Sequence, residues 1–417
     1  MRVKLGTKQL QKVVLALTAA VFMSGAAFAG EVDKLASVLA EKGVITYGEA
    51  QRITTETGED IKAQTASGTN PAIPAWVQNI KFSGDIRLRF QSDWSAGDNT
   101  RDRERMRLRF GFEARPVQNV TAAFGFATGK FGGVDGADAE PTSTNATFAG
   151  FNKLPIGIDY AYLSYDINNI GKISAGKIKS GMTAWNLKQL IWDGDINPDG
   201  VSFNMNKDLG KGFTFFGNAG WLIINGDVRR QAELADVYIL QPGVTYKTGN
   251  IGIKAALGYQ QFNTKGRHIT ANNNIAFNSA TDYRLINPAV EASVSEVIGK
   301  YVVKVFGEYV KNTDDALYKN NNEGGLYGIT FGDGKIGNRG DWNITYAGRY
   351  LMAGAVPAAL SFSDAYGGAA DVRGFEIGIN YGLTKNTSFA FNYLSYDRIN
   401  GAKDPRSLAQ CDISYKF

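Results

Sequence analysis

The sequence predicts an all-β protein: a transmembrane antiparallel β-barrel of about sixteen strands, preceded by a short periplasmic helical segment at the N-terminus. Three observations predict it: apolar and polar residues alternate with period two from Ile80 onward, short turns alternate with long polar loops, and the chain begins with an export signal. No stretch of roughly 18 apolar residues follows that signal, so we expect no membrane-spanning helix in the mature chain.

Residues 1–29 have the three parts of a secretory signal peptide. An apolar core, VVLALTAAVFM at 13–23, is too short to span a bilayer, and Ala27-Phe28-Ala29 forms an A-x-A cleavage site. The basic leader consists of Arg2, Lys4, Lys8 and Lys12. We therefore expect an exported mature chain that begins at Gly30.

Removal of the signal leaves a nearly neutral chain. The full sequence has 45 Lys and Arg against 40 Asp and Glu, and the signal contains four of the basic residues and none of the acidic ones. Nucleic acid is therefore not an expected partner. Cys411 is the only cysteine, which excludes an internal disulfide and a cysteine-based structural zinc site.

Residues 30–66 follow a helical rather than a strand period. One helix face carries the apolar residues Val32, Leu35, Ala36 and Leu39. Gly43 ends this pattern, and Thr46 with Glu49 forms a capping box that starts a second helix. Residues 67–79 are a linker rich in small residues and proline, and residues 80–417 form the barrel. The sequence leaves open whether the helices oligomerise, contact the cell wall or act as a plug.

The first two strands place arginine on one face and apolar residues on the other. In IRLRF (86–90) and MRLRF (106–110), every second residue is arginine. An arginine on the lipid face near the bilayer midplane costs about 2–4 kcal/mol. The arginines are therefore predicted to face the lumen, and the leucines and phenylalanines to face lipid.

Connection lengths set the predicted strand number. Seven short connections alternate with eight longer polar or glycine-rich ones, which gives sixteen strands. The short ones are 115–118, 168–170, 206–211, 248–249, 297–299, 333–340 and 384–386. The longer ones are 93–102, 130–156, 180–198, 225–233, 264–283, 312–323, 354–370 and 398–405.

Several segments, taken in order, resemble the putative-porin family of bacterial outer membranes. They are LASVLAEKGVITYGEAQRI (35–53), FSGDIRLRF (82–90), WDGDINPDGVSF (192–203), GFEIGINYGLTKN (374–386) and ISYKF (413–417). The last strand also resembles the terminal β-signal of outer-membrane proteins, but it carries Asp412 where glycine is usual. More distantly, the arginine-bearing strands are similar to phosphate-selective porins of the O and P type.

This resemblance implies an outer-membrane porin of the general-diffusion type, a water-filled channel for passive diffusion of small hydrophilic solutes and ions. It implies a homotrimer, surrounded by outer-membrane lipid and lipopolysaccharide, with no cofactor. Cell-wall contact through residues 31–66 is a further expectation. A structural or adhesive barrel with a closed lumen is the alternative from another class.

The candidate pore-lining residues are Arg87, Arg89, Arg105, Arg107 and Arg109, with Asp85 and Glu113 as partly neutralising acids. One interpretation is an anion- or phosphate-selective channel, because a basic wall raises the local anion concentration. The other is the charge-balanced wall of a general porin. The sequence leaves both open.

The stretch DGDINPDG (193–200) has oxygen side chains at alternate positions, as calcium loops do. It lacks the downstream bidentate glutamate, and Pro198 interrupts it, so we expect no metal site. A constriction loop carrying Asp193, Asp195 and Asp199 towards the arginines is predicted instead. The only histidine, His268, lies in a long loop and no G-x-S-x-G motif is present, so no catalytic residues and no enzyme activity are expected.

Overall fold

The computed structural model describes residues 36–37, 40–41, 46–66, 75–95, 100–129, 143–225, 234–266, 281–314 and 318–417. The predicted signal peptide, most of the first predicted helix, most of the linker and His268 lie outside these residues. Contacts group the chain into two units, residues 1–81 with 114–117 and residues 82–113 with 118–417. The domain boundaries drawn from the sequence stay predictions.

The first unit contains helices α1 (Tyr47–Ala66) and α2 (Ala75–Gln78). A capping box starts α1: Glu49 Oε2 accepts hydrogen bonds from Thr46 N at 2.8 Å and Thr46 Oγ1 at 2.9 Å. Glu49 N in turn donates to Thr46 Oγ1 at 3.2 Å. No helix in the described part of the chain is long and apolar enough to cross a membrane.

Sixteen long strands and one two-residue strand form a single antiparallel sheet. They are β1 (Lys81–Ser95), β2 (Arg101–Val117), β3 (Val120–Thr128), β4 (Ala146–Thr147), β5 (Ile156–Ile167), β6 (Gly171–Lys177), β7 (Asp199–Gly210), β8 (Phe213–Asn225), β9 (Ala235–Thr248), β10 (Ile251–Asn263), β11 (Tyr283–Val294), β12 (Val302–Asn312), β13 (Glu323–Gly332), β14 (Trp342–Leu351), β15 (Val372–Thr384), β16 (Thr387–Arg398) and β17 (Arg406–Lys416).

The sheet closes on itself through β1 and β17. These strands pair antiparallel, with Arg89 opposite Asp412 and Phe90 opposite Cys411. Beyond the last strand, Phe417 exchanges two backbone hydrogen bonds with Gly84, at 3.0 and 3.1 Å. The predicted sixteen-strand antiparallel barrel is confirmed.

The two-residue strand β4 completes the sheet where β3 stops early. It pairs with β2 through Arg105 opposite Thr147 and Met106 opposite Ala146. Thr128 joins the pieces, because its Oγ1 accepts from Leu108 N at 3.0 Å and donates to Thr144 O at 2.9 Å. Residues 143–147 are thereby held beside the arginine-bearing face of β2.

Connections are mostly short at one end of the barrel and mostly long at the other, with 96–100 as a short exception at the second end and 333–341 as a long one at the first. The connections at the first end are 118–119, 168–170, 211–212, 249–250, 295–301, 333–341 and 385–386, and those at the second end begin after Ser95, Thr128, Lys177, Asn225, Asn263, Asn312, Leu351 and Arg398. The largest shift from the expected positions is at the third turn, because β7 continues to Gly210 instead of ending before 206.

The alternation along β1 separates an outer from an inner face. Leu88 and Phe90 are 51% and 46% exposed on the outside of the barrel, whereas Arg89 and Gln91 are 6% and 2% exposed on the inside. A barrel strand in a bilayer requires this division, because one face meets hydrocarbon and the other meets the lumen.

Two long loops fold into the lumen. Residues 178–198, which follow β6, and residues 352–371, which follow β14, contribute Leu190, Trp192 and Leu360 to one buried apolar cluster. Inward-facing strand residues such as Phe262 and Leu285 complete that cluster. The sequence predicts the second loop only as one of the longer connections, 354–370. Its position inside the lumen depends on contacts with the apolar inner wall, which the sequence does not show.

Candidate functional site

Arg107 and Arg109, both on β2, are paired with Asp85. Asp85 Oδ1 lies 2.7 Å from Arg107 Nη2, and Asp85 Oδ2 accepts from Arg109 Nε at 2.9 Å. One carboxylate thus binds two guanidinium groups in charge-assisted hydrogen bonds. Glu113, the other predicted neutralising acid, is half-buried on β2 and does not line either of the two cavities that adjoin these arginines.

Arg89 makes a bidentate ion pair with Asp412 across the closure of the barrel. Its Nε and Nη2 donate to the two carboxylate oxygens of Asp412 at 2.7 and 2.8 Å. Asp364, from the second infolded loop, lies 3.5 Å from Arg89 Nη1. Asp412 did not appear among the expected site residues, although its departure from the glycine usual in the terminal motif was the signal that could have found it.

Arg87 and Arg105 donate mainly to neutral acceptors. Arg87 Nη2 donates to Asn145 Oδ1, and Asp412 Oδ2 is 3.8 Å from Arg87 Nη1. Arg105 donates to Gln91 Oε1 at 3.1 Å, Ser143 Oγ at 3.3 Å and Asn145 O at 3.2 Å. Within the described chain, the buried Nε atoms of both arginines have no hydrogen-bond partner. These two guanidinium groups are the least neutralised of the five predicted ones.

Asp193 joins the two infolded loops. Its backbone N donates to Leu360 O at 2.6 Å, and its Oδ2 accepts from Ser363 N at 2.7 Å. Its Oδ1 accepts from Asp195 N at 2.8 Å. Burial, followed by the nearby charge of Asp195, raises the pKa of Asp193 to about 6.

Asp195 connects the tip of the first infolded loop to Thr144 and to Arg109 of β2. Its Oδ2 accepts from Thr144 Oγ1 at 3.0 Å, and its Oδ1 lies 3.6 Å from Arg109 Nη1. Asp199 is separate from this junction, because it begins β7 and pairs with Lys177 Nζ at 3.3 Å. The predicted loop therefore brings Asp193 and Asp195, but not Asp199, to the loop tip.

Inward polar residues on β9, β10 and β14 hold the loop 178–198 in place. Gln241 Oε1 accepts from Trp185 N at 2.7 Å, and Gln260 Oε1 accepts from the Trp192 indole at 2.9 Å. Arg349 Nη1 donates to Gln189 O at 3.0 Å. These three positions were not among the predicted site residues. Isolated polar residues on the otherwise apolar inner face were the available signal.

Two cavities meet at the tip of this loop. The larger, of about 1390 Å³, is lined by Arg87, Arg89, Arg105 and Arg107 together with Asp193, Asp195 and Asp199. The smaller, of about 510 Å³, is lined by Asp85 and Arg109. Gly194, Asp195 and Asn197 line both cavities, so the loop tip forms the boundary between them.

A family model described as "Putative porin" matches residues 95–293 and 241–417 of this chain. The chain belongs to this family. The porin is an outer-membrane channel for passive diffusion, and its long loops lie at the extracellular end of the barrel. Neither the family nor the fold is that of an enzyme.

The porin's fold is similar to that of Pseudomonas putida OprB at high pH, with a TM-score of 0.53 and 10% identity over 81% of this chain and 94% of that chain. Two other solved structures also match. The outer-membrane channel DcaP of Acinetobacter baumannii has a TM-score of 0.48 and 16% identity, with 81% of this chain and 97% of that chain covered. Salmonella typhi OmpF, in a complex with daunomycin, has a TM-score of 0.47 and 14% identity, with 81% and 97% covered. No curated protein matches the chain.

Proposed function

We propose that this channel passes small anions more readily than small cations. The charge on the lining of the larger cavity supports the proposal. Among the described residues that line it, nine are basic and six are acidic, a formal excess of three positive charges. Asp412, Asp85 and Asp404 do not line the cavity but pair with the lining residues Arg89, Arg107 and Arg406, and Arg349 pairs likewise with Glu376. These three acids and one base change the formal excess from three to one.

An unbalanced charge in a narrow aqueous space biases ion entry. Low-dielectric protein walls focus the field and raise the counter-ion concentration in the cavity. A mean potential of about one kT would enrich chloride and deplete potassium about threefold each, so the permeability ratio would be roughly seven to ten. The preference falls at high salt, because the Debye length shortens to about 3 Å at 1 M.

Arg87 and Arg105 contribute most to this bias. Arg89, Arg107 and Arg109 each have a carboxylate oxygen within 2.9 Å, so their fields are partly cancelled at the source. Arg105 has only neutral acceptors among the hydrogen bonds described, and Arg87 has its nearest carboxylate at 3.8 Å. Both belong to the cluster of five arginines that the sequence predicts for an anion- or phosphate-selective channel.

Reversal potentials across planar bilayers test the proposal. The wild-type porin is expected to show a chloride-over-potassium permeability ratio above one in a KCl gradient. The double variant Arg87→Gln, Arg105→Gln should move the ratio towards one. Arg373→Gln is the matched control, since Arg373 is exposed and lies outside the cavity lining.

A wild-type ratio of one or below would overturn anion preference and favour the charge-balanced wall of a general porin. An unchanged ratio in the double variant would show that Arg87 and Arg105 are not its source. No conductance from correctly folded protein would instead favour a structural or adhesive barrel with a closed lumen.

We further propose that three copies associate in the membrane, as the family resemblance implies. An outward cluster of phenylalanines on β1–β3 offers a surface for this contact: Phe82 lies 5.1 Å from Phe112 and Phe110 lies 5.4 Å from Phe126, measured between ring centroids. Native mass spectrometry from detergent should give a trimer, and a monomer would contradict it. Contacts with lipopolysaccharide and of residues 31–66 with the cell wall stay predictions.

A further inference from the structure

The larger cavity is lined by two chemically different groups of side chains. Arg87 and Arg105 belong to β1 and β2. Ile196, Leu360 and Phe362, from the two infolded loops, line the same cavity and form what we call its apolar side. A passage meant only for small inorganic ions gains nothing from such apolar lining, since these ions remain hydrated.

We propose that this cavity binds amphipathic organic anions during their passage, with a carboxylate or phosphate head on Arg87 and Arg105 and an apolar body against Ile196, Leu360 and Phe362. The inference rests on the proposed anion preference and narrows it to a substrate class.

The head-group position is built from the side chains that share Asn145. Arg87 Nη2 donates to the Asn145 side chain, and Arg105 Nη2 donates to Asn145 O at 3.2 Å. Asn145 therefore holds the two guanidinium groups beside each other without neutralising their charges, and the nearest carboxylate, Asp412, is 3.8 Å from Arg87. The Nε atoms of both are buried without an acceptor in the described chain. Both side chains line the cavity, and a planar guanidinium suits the paired oxygens of a carboxylate or phosphate.

Asp364, an acid from the second infolded loop, lines the same cavity and already has partners. It lies 3.5 Å from Arg89 Nη1 and accepts from Gln410 Nε2 at 3.0 Å. Its charge also acts on Arg105, but its nearest cation is Arg89. An anionic head at Arg87 and Arg105 therefore meets a carboxylate that Arg89 already partly neutralises.

The apolar side is fixed before any ligand arrives. Asp193 holds Leu360 and Ser363 through hydrogen bonds of 2.6 and 2.7 Å, which places the segment containing Phe362 against the first loop. The Arg349 guanidinium lies 5.4 Å from the centre of the Phe362 ring and orients it. Preformed apolar contacts lower the entropic cost of binding.

The cavity is large enough for such a ligand and its water. Its volume of about 1390 Å³ exceeds the roughly 300–1,000 Å³ of most small-molecule sites. An organic anion can therefore bind weakly at one side while solvent fills the rest. Weak binding is what a passive channel requires, because the solute must also leave.

Single-channel current block tests the inference. The porin would be recorded in KCl with equal concentrations of acetate, benzoate, inorganic phosphate or phenyl phosphate on the long-loop side. We expect saturable block by benzoate, phenyl phosphate or both, at half-blocking concentrations at least about tenfold below those of acetate and inorganic phosphate. Benzoate against phenyl phosphate shows which head group the arginines prefer, and either preference supports the inference.

Two sets of variants distinguish the contacts to the anionic head of the ligand from the contacts to its apolar body. Arg87→Gln with Arg105→Gln should weaken block by the aromatic anions severalfold. Ile196→Asn should weaken block by the aromatic anions but leave acetate unchanged, and Phe362→Ala serves the same purpose if Ile196→Asn does not fold. Arg373→Gln should change neither.

The two proposals fail in different ways. Equal block by benzoate and acetate, with chloride preference retained, would overturn the amphipathic site and leave anion preference standing. Aromatic block that survives both sets of variants would also overturn the site. Loss of chloride preference in the wild type would contradict the proposed function itself.

Discussion

Replacement of Asp412 by glycine should destabilise the barrel, even though it restores the residue usual in the terminal motif. Asp412 forms two hydrogen bonds with Arg89, at 2.7 and 2.8 Å, and both side chains are at most 6% exposed. Breaking a buried ion pair by removing one partner costs about 3–5 kcal/mol. Arg89 keeps Asp364 at 3.5 Å, so we expect the lower end, about 3 kcal/mol.

Urea unfolding of the micelle-embedded porin, followed by tryptophan fluorescence, measures this loss. The matched control is Asp166→Gly, because Asp166 forms an exposed pair with Lys172 at 3.4 Å and should lose less than about 1 kcal/mol. A double-mutant cycle with Arg89→Gln isolates the pair, since coupled residues are not additive. A loss below about 1 kcal/mol for Asp412→Gly, or additive effects in the cycle, would refute the reasoning.

Three further predictions follow from the lumen and the closure. Asp193 has a pKa of about 6, above its ordinary 3.8, so the folded protein binds the proton of this carboxyl more tightly than the unfolded chain does. The contribution of Asp193 to stability should therefore fall as pH rises from about 4 to about 6. The chloride-over-potassium ratio should rise as pH falls through about 6, because protonation removes a negative charge from the cavity lining. Asp193→Asn should flatten both profiles, and an unchanged pH dependence would refute the assignment. Gln260→Leu leaves the Trp192 indole unpaired and should cost about 1–3 kcal/mol in urea unfolding, whereas no loss would mean that the loop is held elsewhere. Gly84→Ala should reduce the folded fraction measured by heat-dependent gel migration, because a Cβ there meets Arg109 O and the Phe417 ring. The control Gly307→Ala should be tolerated, since the nearest contact of its Cβ is at 3.8 Å. Equal folding of the two variants would contradict this prediction.

The strands could be read from the sequence because a barrel wall separates two solvents. Each residue of β1 faces either hydrocarbon or the lumen, so the period of two in IRLRF survives into the structure, with Leu88 outside and Arg89 inside. The alternation of short turns and long loops then gave the strand count, since each connection lies at one end of the barrel.

The interior could not be read in the same way. Loops have no period, so nothing in the sequence placed the segment around Leu360 against Trp192 inside the lumen. Ion pairs between distant strands were equally hidden: the partner of Arg89 is Asp412, which only closure of the barrel brings opposite. The pairing of side chains, and hence the incomplete neutralisation of Arg87 and Arg105, can be identified only in the three-dimensional structure.

Incompletely neutralised arginines are proposed to give this channel its anion preference. The reversal potential in a tenfold KCl gradient, for the wild type beside the Arg87→Gln, Arg105→Gln variant, tests this directly. We expect a wild-type potential with the sign of chloride selectivity and a clear shift towards zero in the variant. A wild-type potential with the sign of potassium selectivity, or one that the variant leaves unmoved, would contradict it.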